Sequence, residues 1–89
     1  MWQKARLRLQ GDPDDGMEMW VPVGPPEHYS HGFYNHDTRL NVRPGNYYRT
    51  NLRGMIGFVY VWKDWIELLP EFVDSVDMSQ SWPERKYHS

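Results

Sequence analysis

The chain contains no cysteine among its 89 residues, so neither a disulfide nor a thiolate-bound zinc ion can stabilise it. It also lacks a glycine-rich phosphate loop, a dinucleotide-binding fingerprint and a Gly-x-Ser-x-Gly turn. Only 39% of its residues are apolar, which is lean for an independent globule of this length. These absences predict a non-catalytic protein with no cofactor, no bound metal and no small-molecule substrate, stabilised by contact with partners.

The most regular pattern in the chain is helical. Between residues 52 and 73, apolar side chains recur at alternating spacings of three and four, the period of one face of an α-helix. Neighbouring apolar and small residues widen this stripe, so the helix would bury most of its circumference. We expect Pro70 to kink or stop it. The predicted partner or membrane interface comprises Leu52, Met55, Val59, Trp62, Ile66, Leu69, Gly54, Gly57, Phe58 and Trp65.

The whole chain divides into four segments. Residues 1–10 are basic, residues 11–49 form a Pro/Gly-rich extended arm, residues 50–77 hold the helix, and residues 78–89 form an irregular tail. The predicted fold is therefore mainly α with an extended irregular arm. It consists of a single amphipathic or short transmembrane helix without an independent globular core.

Charges of opposite sign are segregated along the chain. Residues 39–53 hold four arginines and no acid, whereas residues 64–77 hold five acids and no base. The positive-inside rule would place these two runs on opposite sides of a membrane. However, the uncharged run 54–62 spans only about 13 Å as a helix, against a hydrocarbon core of about 30 Å. A helix packed among other subunits, or one lying along the membrane surface, therefore fits better than an isolated span.

Two small clusters have the residue types of metal sites but not the spacing. His28, His31 and His36 match no zinc pattern. The run Asp12-Pro13-Asp14-Asp15-Gly16 lacks the glycine and carboxylate positions of an EF-hand, so we predict a turn there.

A nucleic-acid surface would use the arginines of residues 39–53, with aromatic side chains as stacking surfaces. The net charge of -2 and the five-acid run argue against it, so no nucleic-acid partner is expected. The residues concerned are Arg39, Arg43, Arg49, Arg53, Tyr47, Tyr48 and Phe33.

Several short motifs carry a family resemblance. They are Ser30-His31-Gly32-Phe33, Asn35-His36-Asp37, Leu40-Asn41-Val42 and Leu69-Pro70-Glu71-Phe72. The first three resemble the segment before the single membrane helix of the ESSS-type accessory subunit of mitochondrial NADH:ubiquinone oxidoreductase, respiratory complex I. The fourth is similar to the sequence that ends that helix. The chain departs from the family at Lys63, Asp64 and Glu67, where the family's helix is richly apolar.

The resemblance implies a small accessory subunit of the respiratory chain that takes no part in electron transport itself. Such a subunit lies in the mitochondrial inner membrane, with its N-terminus on the matrix side and its C-terminus in the intermembrane space. Its expected function is to assemble or stabilise the membrane arm of complex I, with other subunits and the lipid bilayer as partners. A small subunit of the ATP synthase or of complex III or IV is an alternative. A second alternative is a soluble interaction module that docks through an acidic amphipathic helix.

Overall fold

The computed structural model describes residues 1–35, 40–54 and 57–82, and it is built from β-strands. A 3-10 turn of three residues, Lys63–Trp65, is the only helical element in the described part of the chain. The strands are β1 (Trp2–Leu7), β2 (Glu18–Pro22), β3 (Glu27–Tyr29), β4 (Phe33–Asn35), β5 (Leu40–Val42), β6 (Gly45–Gly54), β7 (Gly57–Trp62) and β8 (Ile66–Val73).

The strands form two three-stranded antiparallel sheets and one two-stranded ribbon. Sheet A has the order β2-β1-β8, sheet B has the order β3-β6-β7, and β4 pairs with β5. The chain passes from sheet B to sheet A through the 3-10 turn after β7. The predicted mainly α fold with a single amphipathic or transmembrane helix over residues 50–77 is therefore wrong.

Alternation of charged and apolar residues explains why β1 is a strand. Lys4 and Arg6 point to solvent, whereas Ala5 and Leu7 are buried, as expected of a sheet with one solvated face. The following loop contains the predicted turn, in which the Asp14 amide donates to the Asp12 carboxylate at 2.9 Å. This turn returns the chain to pair β2 with β1.

The space between the sheets holds a hydrophobic core to which both contribute. Its buried members are Ala5, Leu7, Met19, Val21, Leu52, Val59, Val61 and Trp82. The expectation of no independent globular core is therefore wrong. The reason is that strands of the Pro/Gly-rich arm, β2 above all, supply apolar surface that covers β6 and β7.

Sheets A and B each contain one register irregularity within the described residues. Opposite Lys4, β8 bulges at residues 69–71, which include Pro70, and Gln3 donates a side-chain hydrogen bond to the Leu69 carbonyl at 3.1 Å. A bulge tolerates proline because the ladder bond is already interrupted there. In β6, residues 50–52 form the corresponding irregularity opposite Val59, and all three are buried. Pro70 thus interrupts the pairing of a strand instead of ending a helix.

In the part of the chain that the structure describes, no helix is long and apolar enough to span a bilayer. The predicted inner-membrane location, with a matrix-side N-terminus and a C-terminus in the intermembrane space, depended on such a helix. That location and the description as a transmembrane subunit of a mitochondrial membrane complex are therefore contradicted. The physical reason is that the apolar residues between 52 and 73 face in different directions on three strands instead of along one helix.

Candidate binding face

The outer face of sheet B carries aromatic side chains beside arginines. Directly opposite residues of antiparallel strands point to the same side, and the register pairs Tyr47 with Trp62, Arg49 with Tyr60 and Arg53 with Phe58. On β7 the intervening residues, Val59 and Val61, point into the core. We call this surface the aromatic–arginine face; it comprises Tyr29, Tyr47, Arg49, Arg53, Phe58, Tyr60 and Trp62.

Four of these aromatic rings pack edge to face at one end of the sheet. The ring centres of Tyr29 and Tyr60 are 5.2 Å apart, as are those of Tyr47 and Trp62, and those of Tyr29 and Tyr47 are 5.9 Å apart. These are the separations that aromatic pairs prefer. The Trp62 indole lies over Gly45, where a Cβ atom would come within 2.2 Å of its Cζ3 atom. The absence of a side chain at Gly45 therefore allows the indole to approach the strand this closely.

The hydroxyl groups of Tyr29 and Tyr47 are held in their neutral form. Burial, followed by a hydrogen bond with Tyr60, raises the pKa of Tyr29 far above its usual value, and burial also raises the pKa of Tyr47. The Tyr47 hydroxyl donates to the Arg43 carbonyl. Tyr47 is only 5% exposed, so it supports the cluster from below, whereas Tyr29, Tyr60 and Trp62 keep part of their surface accessible.

At the other end of the face, two guanidinium groups lie against one ring. The central carbon of the Arg49 guanidinium is 4.1 Å from the centre of the Phe58 ring, and that of Arg53 is 5.2 Å from it. Both distances are within the range of cation–π attraction. Phe58 is half-buried and therefore presents a rigid support to the two cations.

Neither arginine forms an ion pair with a carboxylate in residues 1–35, 40–54 or 57–82. The Arg53 Nε atom donates to the Met78 carbonyl at 2.9 Å, which fixes the side chain to the segment after β8. The Arg49 Nε atom is buried and has no hydrogen-bond partner among the described residues. Strands β6 and β7 carry no acidic residue. The acids that border this side include Glu27 on β3, Asp64 in the 3-10 turn and Asp77, which directly precedes the Met78 whose carbonyl Arg53 contacts.

A small cavity of about 110 Å³ opens beside Arg49. The loop between β2 and β3 forms one wall and β6 the other, and the lining residues are Pro22, Val23, Gly24, Pro25, Pro26, Glu27, Tyr48 and Arg49. Arg49 therefore belongs both to this cavity and to the pair of cations on Phe58. The cavity is too small for a drug-sized ligand, which usually occupies at least about 300 Å³.

The outer face of sheet A has a different organisation. Lys4 forms ion pairs with Glu18 at 3.2 Å and Glu71 at 3.6 Å. Arg6 pairs with Glu18 and Glu67, and Arg8 pairs with Glu67. The hydrogen bond from Lys4, with a second from Arg6, lowers the pKa of Glu18. Every cation in this set has a carboxylate partner.

The interface residues predicted from the helical pattern are dispersed in the structure. Leu52 and Val59 are buried in the core, and Ile66 and Trp65 pack against it. Leu69 lies in the bulge of β8, and Gly54 pairs with Gly57 at the end of the β6–β7 hairpin. Phe58 and Trp62 are the members of the predicted set that share the aromatic–arginine face, and Met55 lies outside the described residues.

Tyr29 and Tyr60 belong to this face but were not predicted as site residues from the sequence. A signal for Tyr60 is present in residues 57–62, where the aromatic residues at positions 58, 60 and 62 alternate with valines, as on a strand. Tyr29 joins only through the pairing of β3 with β6, which no local pattern reveals.

The histidines do not assemble a metal site in the part of the chain that the structure describes. No group of three candidate ligands occurs there, and the His28 Nδ1 atom lies 3.1 Å from the Asn46 amide oxygen. His31 is exposed, and His36 is outside the described residues.

Comparison with known proteins does not place the chain in a family. No protein-family model, no curated protein and no solved structure matches it.

Proposed function

We propose that this chain is a non-catalytic binding module that contacts an anionic polymer through the aromatic–arginine face. The observation that carries the proposal is the convergence of Arg49 and Arg53 on the Phe58 ring, without a carboxylate partner in the described residues. Such a face offers both charge and flat apolar surface.

The electrostatic argument starts from repulsion between the two arginines. Two cations held on one ring repel each other, and each is attracted to any anion that lies between them. Their guanidinium groups offer N–H donors in a planar fork that matches carboxylate or phosphate oxygens. An anionic partner therefore removes a repulsion that the free protein retains. Because both guanidinium groups lie on the Phe58 ring and Arg53 is tied to the Met78 carbonyl, they are already positioned before binding.

The accessory-subunit function implied by the family resemblance stays an untested prediction. The transmembrane helix on which its membrane placement depended is absent from the described residues. A binding function that involves no catalysis is common to that prediction and to the present proposal. We base the proposal on the sheet face alone.

Binding of labelled anionic polymers to the purified chain tests the proposal. The probes are a fluorescein-labelled oligothymidylate of 12 nucleotides and a labelled polyglutamate of 12 residues, with binding followed by fluorescence anisotropy at low salt. We expect at least one probe to bind. Arg49→Gln and Arg53→Gln should each weaken that binding roughly three- to fivefold, the effect of losing one exposed charge contact.

The matched control is Arg8→Gln, which removes the same charge from the outer face of sheet A. The Arg8 side chain is 62% exposed and lies 3.7 Å from Glu67. It should leave the affinity within about twofold of wild type, and far-ultraviolet circular dichroism checks that each variant is folded. The proposal is overturned when neither probe binds, or when Arg8→Gln weakens binding as much as the sheet B variants do.

A further inference from the structure

We propose that the anionic polymer is a single-stranded nucleic acid, with its phosphates at Arg49 and Arg53 on the Phe58 ring and its bases against the Tyr60 and Trp62 rings of β7. This inference rests on the proposed function and names its ligand. It uses the same face but a different set of side chains, the row of aromatic rings.

The rings of β7 are arranged in a row that starts at the arginines. Phe58, Tyr60 and Trp62 are alternate residues of one strand, all half-buried and all on the outer side of sheet B. Alternate strand residues are separated by roughly 6.8 Å, about twice the 3.4 Å spacing of stacked bases. A single strand with its bases separated from one another matches that spacing, whereas a stacked duplex does not. Aromatic side chains that track an extended backbone in this way are typical of single-strand binding surfaces.

The net charge of -2 does not describe the charge at this face. Of the acids in residues 64–77, Glu67 and Glu71 form ion pairs with cations of sheet A. Asp64 accepts hydrogen bonds from the Trp62 indole at 2.9 Å and from Lys63 at 3.3 Å, at the end of the row away from the two arginines. Asp77 accepts hydrogen bonds from the amide and the hydroxyl of Ser79. The expectation of no nucleic-acid partner was drawn from the charge of the whole chain, whereas binding depends on local charge within about one Debye length of the phosphates.

The row of rings is what favours a nucleic acid over an acidic peptide. Carboxylates of a peptide would satisfy the arginines equally well, but they make no use of ring surface that continues along β7 away from the two cations. Bases have flat π-faces that pack on such rings without regard to sequence. Tyr47, which is buried beneath Trp62, holds the far end of the row in place.

The first test compares a ring variant with its matched control on the other sheet. Tyr60→Leu removes one ring from the row, and Trp20→Leu removes a half-buried ring from sheet A, where it lies 5.5 Å from the Lys4 ammonium group. Affinity for the labelled oligothymidylate is measured by anisotropy between 50 and 200 mM NaCl. Tyr60→Leu should weaken binding roughly 5- to 150-fold, the range for loss of one stacked base. Trp20→Leu should leave binding within about twofold.

The salt dependence separates the charge contribution from the ring contribution. Two phosphate contacts give a slope of log K against log[NaCl] of about -1.4, and Arg53→Gln should reduce its magnitude by about 0.7. Tyr60→Leu should lower the affinity while leaving the slope unchanged, because it removes no charge.

A ligand-observed measurement on the wild-type chain requires no variant and so is independent of folding effects. The thymine methyl and H6 protons of the oligonucleotide should shift upfield on titration, because a stacked aromatic ring shields them. Upfield shifts together with the loss in Tyr60→Leu support the inference.

Three outcomes overturn it: polyglutamate binding as tightly as oligothymidylate, thymine protons without an upfield shift, or Tyr60→Leu binding like wild type. If these occur while Arg49→Gln and Arg53→Gln still weaken polyglutamate binding, the proposed function stands and the partner is an acidic protein segment.

Discussion

The outer faces of the two sheets both carry cations, but these cations have different neighbours. On sheet A, Lys4, Arg6 and Arg8 alternate with apolar core residues and each meets a carboxylate from β2 or β8. On sheet B, Arg49 and Arg53 meet a phenyl ring and have no carboxylate partner in the described residues. An electrostatically satisfied face has little to gain from a charged partner, whereas the other retains unneutralised charge. This difference is the reason for proposing sheet B, and not sheet A, as the binding face.

The largest effect is expected from a substitution of Asn51, whose side chain joins the two sheets. Its side chain is 1% exposed, accepts a hydrogen bond from the Trp20 amide of β2 at 2.9 Å, and donates to the Asp77 carbonyl at 3.2 Å. Asn51→Leu keeps a similar volume but leaves both backbone groups without this partner. We expect the free energy of unfolding to fall by roughly 2–5 kcal/mol, since each unpaired group costs about 1–3 kcal/mol. Urea denaturation measures the change.

Asn46→Leu is the matched control, because the side chain of Asn46 has one hydrogen bond within the described residues, to the exposed His28 ring. Its expected effect is within about 0.5 kcal/mol, as for surface substitutions in general. Equal losses in the two variants would show that Asn51 has no special part in joining the sheets.

A smaller effect is expected from crowding the aromatic end of sheet B. Gly45→Ala places a Cβ atom 2.2 Å from the Trp62 ring, so the indole must move. Overpacking of this kind costs about 1–3 kcal/mol. The loss should shrink in a Trp62→Leu background, where the ring is absent, and a double-mutant cycle in urea measures that coupling. If Gly45→Ala lowered the free energy of unfolding equally in both backgrounds, the close approach of Gly45 and the Trp62 ring would be contradicted.

The sequence predicted the turn at residues 12–16, because a turn depends on neighbouring residues alone. It failed between residues 52 and 73, because both faces of β7 are apolar: valines fill the core and aromatic rings cover the outside. With no polar residue at alternate positions, the period of a strand is hidden and chance spacings of three and four resemble a helix. The valine and aromatic content of β7 was the better guide to its structure.

The candidate site was only partly predictable for a different reason. Arg49, Arg53 and Tyr47 are close in sequence and were considered together as a nucleic-acid surface, but their ion-pair state depends on where the acids fold. Glu67 and Glu71 form ion pairs on sheet A only because β8 pairs with β1, a strand far from it in the sequence. Net charge and local runs of charge carry no information about such pairing.

The Tyr29 hydroxyl of sheet B should make the stability of the protein sensitive to alkaline pH. Tyr29→Phe removes a hydroxyl group that donates to Glu27 at 3.4 Å and interacts with Tyr60, so we expect a loss of about 0.5–1.5 kcal/mol near pH 8. The folded-state pKa of Tyr29 is raised above the unfolded value of 10 by burial. Its contribution is therefore present below pH 10 and is lost as the pH rises toward the folded-state pKa.

Urea midpoints between pH 8 and 11.5 measure this response in the wild type and the variant. The wild-type midpoint should fall more steeply above pH 10 than that of Tyr29→Phe, which has no hydroxyl proton to lose at this position. Parallel curves over the whole range would contradict burial as the cause of the raised pKa.

The smallest change in stability is expected from Glu18→Gln on sheet A. This variant also tests directly whether the two faces differ in how their charges are paired. Hydrogen bonds from Lys4 and Arg6 lower the folded-state pKa of Glu18 below its unfolded value of 4.5. Its contribution is therefore present above pH 4.5 and is lost as the pH falls through the folded-state pKa. The variant should be less stable than wild type at pH 7, and the two urea midpoints should converge in acid.

The second measurement is the effect of salt on the stability difference between Glu18→Gln and wild type. Because the Glu18 pairs are exposed, 1 M NaCl, with a Debye length of about 3 Å, should remove most of the difference between Glu18→Gln and wild type at pH 7. Glu27→Gln is the control on sheet B, since Glu27 forms no ion pair within the described residues and its effect should not depend on salt. A salt-dependent effect at Glu27 that matched the one at Glu18 would mean that the two faces neutralise charge alike. The contrast from which the binding face is inferred would then be lost.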